Sequence, residues 1–325
     1  MQSFQHGEFT DFIQWHDTDG NIINASDGGV IYAEGKYHWY GMALRPFGEG
    51  TDGTGGEVTD TGVVMYASED LLNWQYEGVI LPCTDIEGHP LCAPMRFERS
   101  KIIYNEKTKK YVFWCHYVKC PGDHGVVDGT AEAGVAVCDR VNGTYTWVGT
   151  HRPIDRDGAV KDMTLFKDAD GTAYLIYDRR EVEAEKGRAL HIVKLTEDYL
   201  SPTDTYRKID EAAVREAPAV FYRKGYYYMI TSGVTGWAMN RAKYFRTKDL
   251  MSEWEDMGDP CVGDGADITY ASQTTYVFKM EGEDRFIHMA ERHNRENFLH
   301  CAYVWLPIEF GGNGTLCLKY LKEWK

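Results

Sequence analysis

The feature that most constrains the fold of this chain is a hairpin pattern that occurs five times. Each copy has an apolar strand, a polar turn and an aromatic strand, and the turns fall at residues 34–36, 105–109, 168–171, 223–225 and 281–284. Short β-rich runs separated by Gly, Asn and Asp predict β-hairpins. Helical periodicity is scarce throughout the sequence, so the pattern predicts an all-β protein.

The segment that follows each hairpin also repeats. VVMYASEDLLNW, AVCDRVNGTYTW, LHIVKLTEDYLS and YFRTKDLMSEW each give a strand, a polar loop and often a Trp at the next strand, and the fifth copy continues with AYVWLPIEF and TLCLKYLKEW. A recurring unit of four short strands is typical of a propeller blade. Five blades of roughly 40–70 residues account for the whole chain. We therefore predict a five-bladed β-propeller formed by one domain, residues 1–325.

Composition and charge limit the classes of molecule that such a propeller could bind. The 22 Tyr and 9 Trp suit strands, and their flat rings also suit stacking on sugars. A net charge of −15 predicts that neither nucleic acid nor an anionic membrane is a partner. No apolar run reaches transmembrane length, and the N-terminus lacks the features of a signal peptide. The sequence thus predicts a cytoplasmic protein, or a secreted one if a leader has been removed.

The eight cysteines contain no Cys-x-x-Cys pair. Cys115 and His116, with Cys120, come nearest to a metal-binding spacing, but they lie in YVFWCHYVKC, which has the pattern of a buried strand. Free structural thiols in a reducing compartment are therefore predicted. The Gly-rich segment at 47–61 lacks the Lys-Ser/Thr of a phosphate-binding loop, and we interpret it as a rim loop.

A polar residue lies just before or at the start of the first strand of every hairpin: Asp27, Glu98, Asp162, Glu216 and Gln273. Because the first strand of each propeller blade lines the central axis, these side chains should converge on one funnel. A single acidic residue there is most simply a turn or cap residue, whereas four acidic residues and one amide in register favour a shared site. Clustered carboxylates raise one another's pKa. Hydrolysis of a glycosidic bond uses such a set, since it needs one neutral carboxyl and one carboxylate.

The motifs around three of these residues resemble glycoside hydrolase family 43. Asp27 precedes Gly-Gly-Val-Ile-Tyr, Asp162 precedes the strand that ends in Asp-Ala-Asp-Gly-Thr, and Glu216 begins Glu-Ala-Pro ahead of a Gly-Tyr-Tyr-Tyr hairpin. The resemblance covers nearly the whole chain. It implies a five-bladed propeller that acts on arabinose-, xylose- or galactose-containing polysaccharides. It also implies that Glu216 is the general acid, that Asp27 is the general base and that Asp162 orients Glu216 and tunes its pKa.

Within that family the chain is similar to the exo-β-1,3-galactanase branch. The shared segments are DTDG at 17–20, ERSKIIYNEKTKKYV at 98–112, KDMTLF, TSGVTGW at 231–237, SQTT at 272–275 and YVWLPIEF at 303–310. That branch typically has Gly at the position of Asp27, and a Gln at the position of Gln273 is thought to handle the water. Both Asp27 and Gln273 are present here. A β-galactosidase, an α-L-arabinofuranosidase and a β-xylosidase all stay open, as does a non-catalytic carbohydrate-binding propeller.

Four residues are predicted to bind the carbohydrate substrate: Glu98, Gln273, Trp237 and Arg292. Glu98 and Gln273 would hydrogen-bond sugar hydroxyls and Trp237 would stack on a sugar ring. Arg292 would anchor a carboxylate or a hydroxyl, with a structural ion pair as its alternative, while Trp39 fits the core. No cofactor is predicted, although some propellers of the family hold a central cation such as calcium through a His. His288 and His293 lie near the axis, and each also fits a core histidine.

Overall fold

The structure, a computed structural model, describes residues 3–45, 58–119, 131–154, 158–180, 188–236, 238–294 and 296–325. The prediction of a five-bladed β-propeller is confirmed, since five sheets of four or five strands, mainly antiparallel, follow one another along the chain. Trp237 and most of the Gly-rich segment, residues 46–57, lie outside the described residues.

The strands in chain order are β1 (Phe4–Gln5), β2 (Ser26–Ala33), β3 (Lys36–Met42), β4 (Gly62–Ser68), β5 (Gln75–Pro82), β6 (Met95–Asn105), β7 (Lys110–Lys119), β8 (Glu132–Cys138), β9 (Thr146–His151), β10 (Ala159–Lys167), β11 (Ala173–Arg180) and β12 (Arg188–Leu195). They continue with β13 (Pro202–Ala213), β14 (Arg215–Arg223), β15 (Tyr226–Gly233), β16 (Lys243–Thr247), β17 (Glu255–Asp256), β18 (Cys261–Val262), β19 (Gln273–Lys279), β20 (Phe286–Arg292), β21 (Ala302–Phe310), β22 (Leu316–Lys319) and β23 (Glu323–Trp324). Two 3₁₀ helices span Ala266–Ala271 and Phe298–His300.

Each of the first four blades is a simple meander, in which neighbouring strands follow one another in sequence. The blades are β2–β5, β6–β9, β10–β13 and β14–β17. The fifth blade has the order β18-β22-β21-β20-β19, with β18 parallel to β22 at its outer edge. The first strands β2, β6, β10, β14 and β19 contact one another in a closed ring. This ring places the start of every hairpin at the axis, as the sequence predicted.

Cross-strand aromatic pairs recur near the turns of the inner hairpins. The paired residues are Tyr32 and Tyr37, Tyr104 and Tyr111, Phe166 and Tyr174, and Tyr222 and Tyr227. Rings directly opposite each other on antiparallel strands stabilise the pair by roughly 0.2–1 kcal/mol relative to alanines. The aromatic share of the sequence is thus used in part to define the hairpins.

Tryptophans fill the space between the first and fifth blades. Trp39 is fully buried, and its ring lies 4.7 Å from that of Trp305 and 5.4 Å from that of Trp74. Trp15, from the segment before the first blade, packs edge-on to Trp305 at 5.3 Å. Trp39 is therefore a core residue.

The two ends of the described chain pair with each other. β1 and β23 form a two-stranded sheet in which Phe4 lies opposite Trp324, and their rings stack at 4.3 Å. The end of the sequence TLCLKYLKEW therefore leaves the fifth blade. It holds the N-terminal segment instead of extending that blade.

Two further observations concern the described residues as a set. Among them, no helix combines the length and the apolar character needed to cross a membrane. The seven cysteines in this part of the chain form no disulfide, and Cys115, predicted to be a structural thiol, is fully buried.

Candidate active site

A β-bulge interrupts the first strand of every blade near the end that faces the funnel. The register shifts fall between Ser26 and Gly29, Glu98 and Lys101, Val160 and Met163, Glu216 and Ala219, and Thr274 and Tyr276. A bulge bends the strand and changes the direction in which its side chains point. The predicted residues Asp27, Glu98, Asp162, Glu216 and Gln273 all lie in or next to these bulges.

Asp27 has a left-handed backbone conformation, with φ of 57°. The buried carboxylate of Glu291 accepts a hydrogen bond from the Asp27 N–H at 2.7 Å. The ammonium group of Lys101 donates to the Gly28 carbonyl at 2.9 Å and to that of Asp27 at 3.3 Å. Gly28 must lack a side chain, because a Cβ there would lie 1.5 Å from the carbonyl oxygen of Tyr40. The sequence Asp-Gly-Gly thus lets β3 approach closely enough to hold Asp27 at the axis.

The pKa values of the two residues that hold Asp27 reflect their burial. Desolvation raises the pKa of Glu291, and the charge of Asp27 adds to this effect. Desolvation, followed by the nearby charge of Arg99, lowers the pKa of Lys101 to about 7. Both groups therefore lose part of their charge more readily than exposed side chains of the same type.

Arg99 connects three of the predicted residues. Its guanidinium lies 3.1 Å from Asp27 Oδ1 and 3.0 Å from Asp162 Oδ2, and it donates to Gln273 Oε1 at 2.6 Å. Its side chain is 5% exposed. Burial opposes the charge of Arg99, but Asp162 and Asp27 outweigh it and hold the pKa above its usual range. Arg99 therefore compensates the carboxylates that the ring of first strands brings together.

Glu216 is enclosed by polar contacts from two blades. Gln273 Nε2 donates to Glu216 Oε1 at 3.1 Å, and Arg188 Nη2 lies 3.1 Å from Oε2. Burial is the main cause that raises the Glu216 pKa, and the charge of Asp162 is the next; Arg188 and Arg99 oppose the increase. A carboxyl group with a raised pKa stays protonated at a higher pH, as a general acid requires.

Glu98 lies in the same region and has a different environment. Its Oε2 is 2.9 Å from His116 Nδ1, and Arg96 is 3.7 Å from its Oε1. Burial opposes ionisation of Glu98, yet the contact with His116 and the charges of Arg96 and Arg99 together hold its pKa below the usual range. Glu98 is therefore an ionised acceptor, whereas Glu216 favours its neutral form.

The structure favours a structural role for Arg292, the alternative to substrate binding that the sequence left open. The residue is 2% exposed. Its guanidinium donates to the carbonyls of His6, Glu8, Asp11, Tyr270 and Ala271 and to the Tyr320 hydroxyl. With five N–H groups and six protein acceptors, it has no donor to spare. Arg292 fixes the N-terminal segment against the fifth blade.

We expect Arg292→Ala to destabilise the fold by about 3 kcal/mol, because it leaves several buried carbonyls without a donor. Urea unfolding followed by fluorescence measures this change. Arg140→Ala is the matched control, since Arg140 is exposed and the one hydrogen bond described for its guanidinium is to Asn142. If Arg292→Ala has normal stability and a raised KM, Arg292 binds substrate instead.

Two sets of side chains in the described part of the chain could approach a cation. In each set the ligating atoms lie within 4.8 Å of one another, and the sets are Asp27, Glu291 and His293, and Glu98, His116 and Asp162. Arg99 already contacts one carboxylate in each set. His288 is buried and shares a hydrogen bond of 3.0 Å with Thr274 Oγ1. That no cofactor is needed, with a central cation as an optional addition, stays a prediction.

At the axis of this five-bladed propeller, Glu216 with its raised pKa lies near the carboxyl group of Asp162, and hydrolysis of a glycosidic bond can use such a pair of carboxyl groups. The family model of the glycosyl hydrolases family 43 matches residues 22–316. The chain therefore belongs to glycoside hydrolase family 43 and is an O-glycosyl hydrolase that acts on carbohydrate.

Several solved structures of the same family are similar to this chain. A family 43 β-1,3-galactosidase with galactodeoxynojirimycin is 34% identical, with a TM-score of 0.86 and coverage of 96% of this chain and 99% of that one. A second β-1,3-galactosidase is 32% identical, with a TM-score of 0.85, and this chain matches in full but covers 63% of that protein. An exo-β-1,3-galactanase from Clostridium thermocellum is 29% identical, with a TM-score of 0.80 and coverage of 99% and 66%. No curated protein matches the chain significantly. The predicted similarity to the galactanase branch is confirmed.

Proposed function

We propose that this enzyme removes terminal galactose from β-1,3-linked galactan-type chains, with inversion at the anomeric carbon. The observation that carries the proposal is the chain of contacts from Asp27 through Arg99 and Gln273 to Glu216. The names of the two β-1,3-galactosidases that are more than 30% identical support galactose as the sugar. The low exposure of Asp27 and Glu216 favours an exo mode, because the end of a sugar chain reaches buried carboxyl groups more readily than its middle does.

In this mechanism Glu216 donates its proton to the glycosidic oxygen as the bond to the anomeric carbon breaks. A water molecule attacks that carbon from the opposite face, and Asp27 takes its proton. Asp162 lies 3.0 Å from Arg99 and raises the pKa of Glu216 by its charge. The product leaves with inverted configuration, and solvent returns the proton from Asp27 to Glu216.

The stereochemistry of the reaction depends on the separation of the two reacting carboxyl groups. Inverting enzymes need about 6.5–9.5 Å between them, to hold a water, while retaining enzymes need about 5–5.5 Å. Asp27 and Glu216 are joined only through Arg99 and Gln273 among the contacts described, so two side chains lie between them.

The sugar hydroxyls have suitable partners around this chain of contacts. Glu98, whose pKa is held low by His116 and the nearby arginines, can accept hydrogen bonds from sugar hydroxyls. Gln273 keeps its predicted contact with a sugar hydroxyl as part of the proposal. Trp237 keeps its predicted role in ring stacking as part of the proposal.

A panel of nitrophenyl glycosides and β-1,3-galactobiose tests the substrate, and ¹H NMR of the first product tests the stereochemistry. We expect release of galactose from the nitrophenyl β-galactoside and from β-1,3-galactobiose. The first product should be α-galactose, before mutarotation mixes the anomers. Cleavage of arabinofuranosides or xylosides instead would reassign the sugar. β-Galactose as the first product would exclude inversion, and binding without turnover of any glycoside would identify a carbohydrate-binding propeller.

A further inference from the structure

Arg188 shares its guanidinium between two carboxyl groups that belong to different blades. It begins β12, and its Nη2 contacts Asp178 Oδ2 on β11 and lies 3.1 Å from Glu216 Oε2 on β14. The Arg188 side chain is 21% exposed at the funnel, whereas that of Asp178 is 0% exposed. The three residues thus form a line from the interior of the third blade to the axis.

The contact between Arg188 and Glu216 conflicts with the role of Glu216 as proton donor. A guanidinium next to a carboxyl group favours its ionised form and so favours loss of the proton. An Arg188 that paired with Glu216 alone would leave the enzyme without its acid at neutral pH. Asp178 reduces this conflict, because it accepts a hydrogen bond from the same nitrogen of Arg188 that contacts Glu216.

Asp178 has a physical reason to hold Arg188 firmly. A fully buried carboxylate is costly without a partner, and burial raises the pKa of Asp178 to about 6 even though the contact with Arg188 opposes the change. Lys161 also affects this group, and like Arg188 it favours the ionised form. The buried pair of Asp178 and Arg188 therefore presents little net charge to Glu216.

Other charged groups also face Glu216. By element they are Arg99 on β6, Asp162 on β10, Asp178 on β11, Arg188 on β12 and the neighbouring Arg215 on β14 itself. Arg99 is engaged by Asp27 and Asp162, and Arg215 donates to Thr231 and to the Arg241 carbonyl. Arg188 is the guanidinium that has a described contact with a Glu216 oxygen.

We propose that Arg188 and Asp178 are positioning residues for the proton donor of the proposed function. Arg188 orients Glu216 Oε2, and Asp178 restrains Arg188 so that Glu216 keeps its proton until it reacts.

The test is the pH dependence of kcat/KM on a galactoside with a poor leaving group. Activity falls on the alkaline side as Glu216 loses its proton. Asp178→Asn leaves Arg188 free to pair with Glu216, so the alkaline limb should move to lower pH by about one unit. Arg188→Gln removes the cation, and the limb should move to higher pH. The double variant should behave like Arg188→Gln, because Asp178 acts through Arg188.

Matched variants separate this effect from a general loss of structure. Arg207→Gln breaks an ion pair with Glu211 on the outer strand of the same blade and should leave the limb in place. Arg188→Lys keeps a charge, and its limb should stay within about half a unit of the wild type. If Asp178→Asn does not fold, Arg188→Gln and Arg188→Lys still decide the question.

Two outcomes would overturn the proposal. In the first, Asp178→Asn and Arg188→Gln both lose activity while the alkaline limb of kcat/KM stays in place. In the second, the alkaline limb moves in the same direction in both variants. A ¹³C NMR titration of glutamate-labelled protein, with the Glu216 signal assigned from Glu216→Gln, measures the same shifts without turnover. If the wild type cleaves no glycoside, the proposed function fails. The NMR titration then still tests whether Asp178 and Arg188 control ionisation of Glu216.

Discussion

Glu216→Gln should lower kcat by about 10²–10⁴-fold on galactosides with poor leaving groups, and by much less on dinitrophenyl galactoside. The amide keeps the shape of the side chain and its contact with Gln273 but has no proton to donate. A dinitrophenolate leaves without protonation, so it needs little from Glu216. The comparison of the two substrates measures proton donation separately from binding.

The residual activity of the variant on galactosides with poor leaving groups should also lack the alkaline limb of the wild type, because that limb reports the raised pKa of Glu216. Glu197→Gln is the control, since Glu197 is an exposed carboxylate paired with Lys107. An equal loss on both substrates would show that Glu216 acts in some way other than proton donation.

Asp27→Asn should lower kcat by about 10²–10⁴-fold on both kinds of substrate alike, because attack by water is needed whatever the leaving group is. Added azide should restore turnover of the activated substrate by replacing the water, and the product should then be a glycosyl azide. Steady-state kinetics with and without azide measure both effects.

A second variant at the same position makes this experiment sharper. Asp27 has a φ of 57°, which Gly adopts without strain, so Asp27→Gly should fold normally. It also places the residue typical of the galactanase branch at this position. If Asp27→Gly and Asp27→Asn stay active while Gln273→Ala does not, Gln273 handles the water and the assignment of Asp27 is wrong.

The position of Asp27 explains why the two residues must be compared directly. Gln273 donates to Glu216 and accepts from Arg99, and Arg99 also pairs with Asp27. Removing either side chain therefore changes the environment of the other, and only the pattern over both substrates separates their roles.

The sequence by itself determined the architecture and most of the polar residues near the axis. The hairpins needed only local information, because alternation, turn residues and aromatic pairs are set by neighbours along the chain. Because the unit occurs five times, few arrangements other than a ring of five blades were left. Asp27, Glu98, Asp162, Glu216 and Gln273 follow from this repeat, since each occupies a similar place in its blade.

The tertiary structure alone decided how those residues are used. The bulge between Glu98 and Lys101 brings the Arg99 side chain to Asp27. Nothing in the sequence around Arg99 distinguished it from its neighbour Glu98 as a residue of the site. Glu291 and Lys101 hold the Asp27 backbone from strands of the fifth and second blades.

Arg188 and Arg292 show in two different ways that the sequence alone does not determine which residues face the site. Arg188 was not predicted, yet it contacts Glu216, because the ring of blades brings β12 next to β14. Arg292 was predicted to bind substrate, yet it holds the N-terminal segment, whose course no local pattern specifies. Charge pairing depends on contacts between side chains that are far apart in the sequence. A single sequence gives the order of the residues but not these long-range contacts.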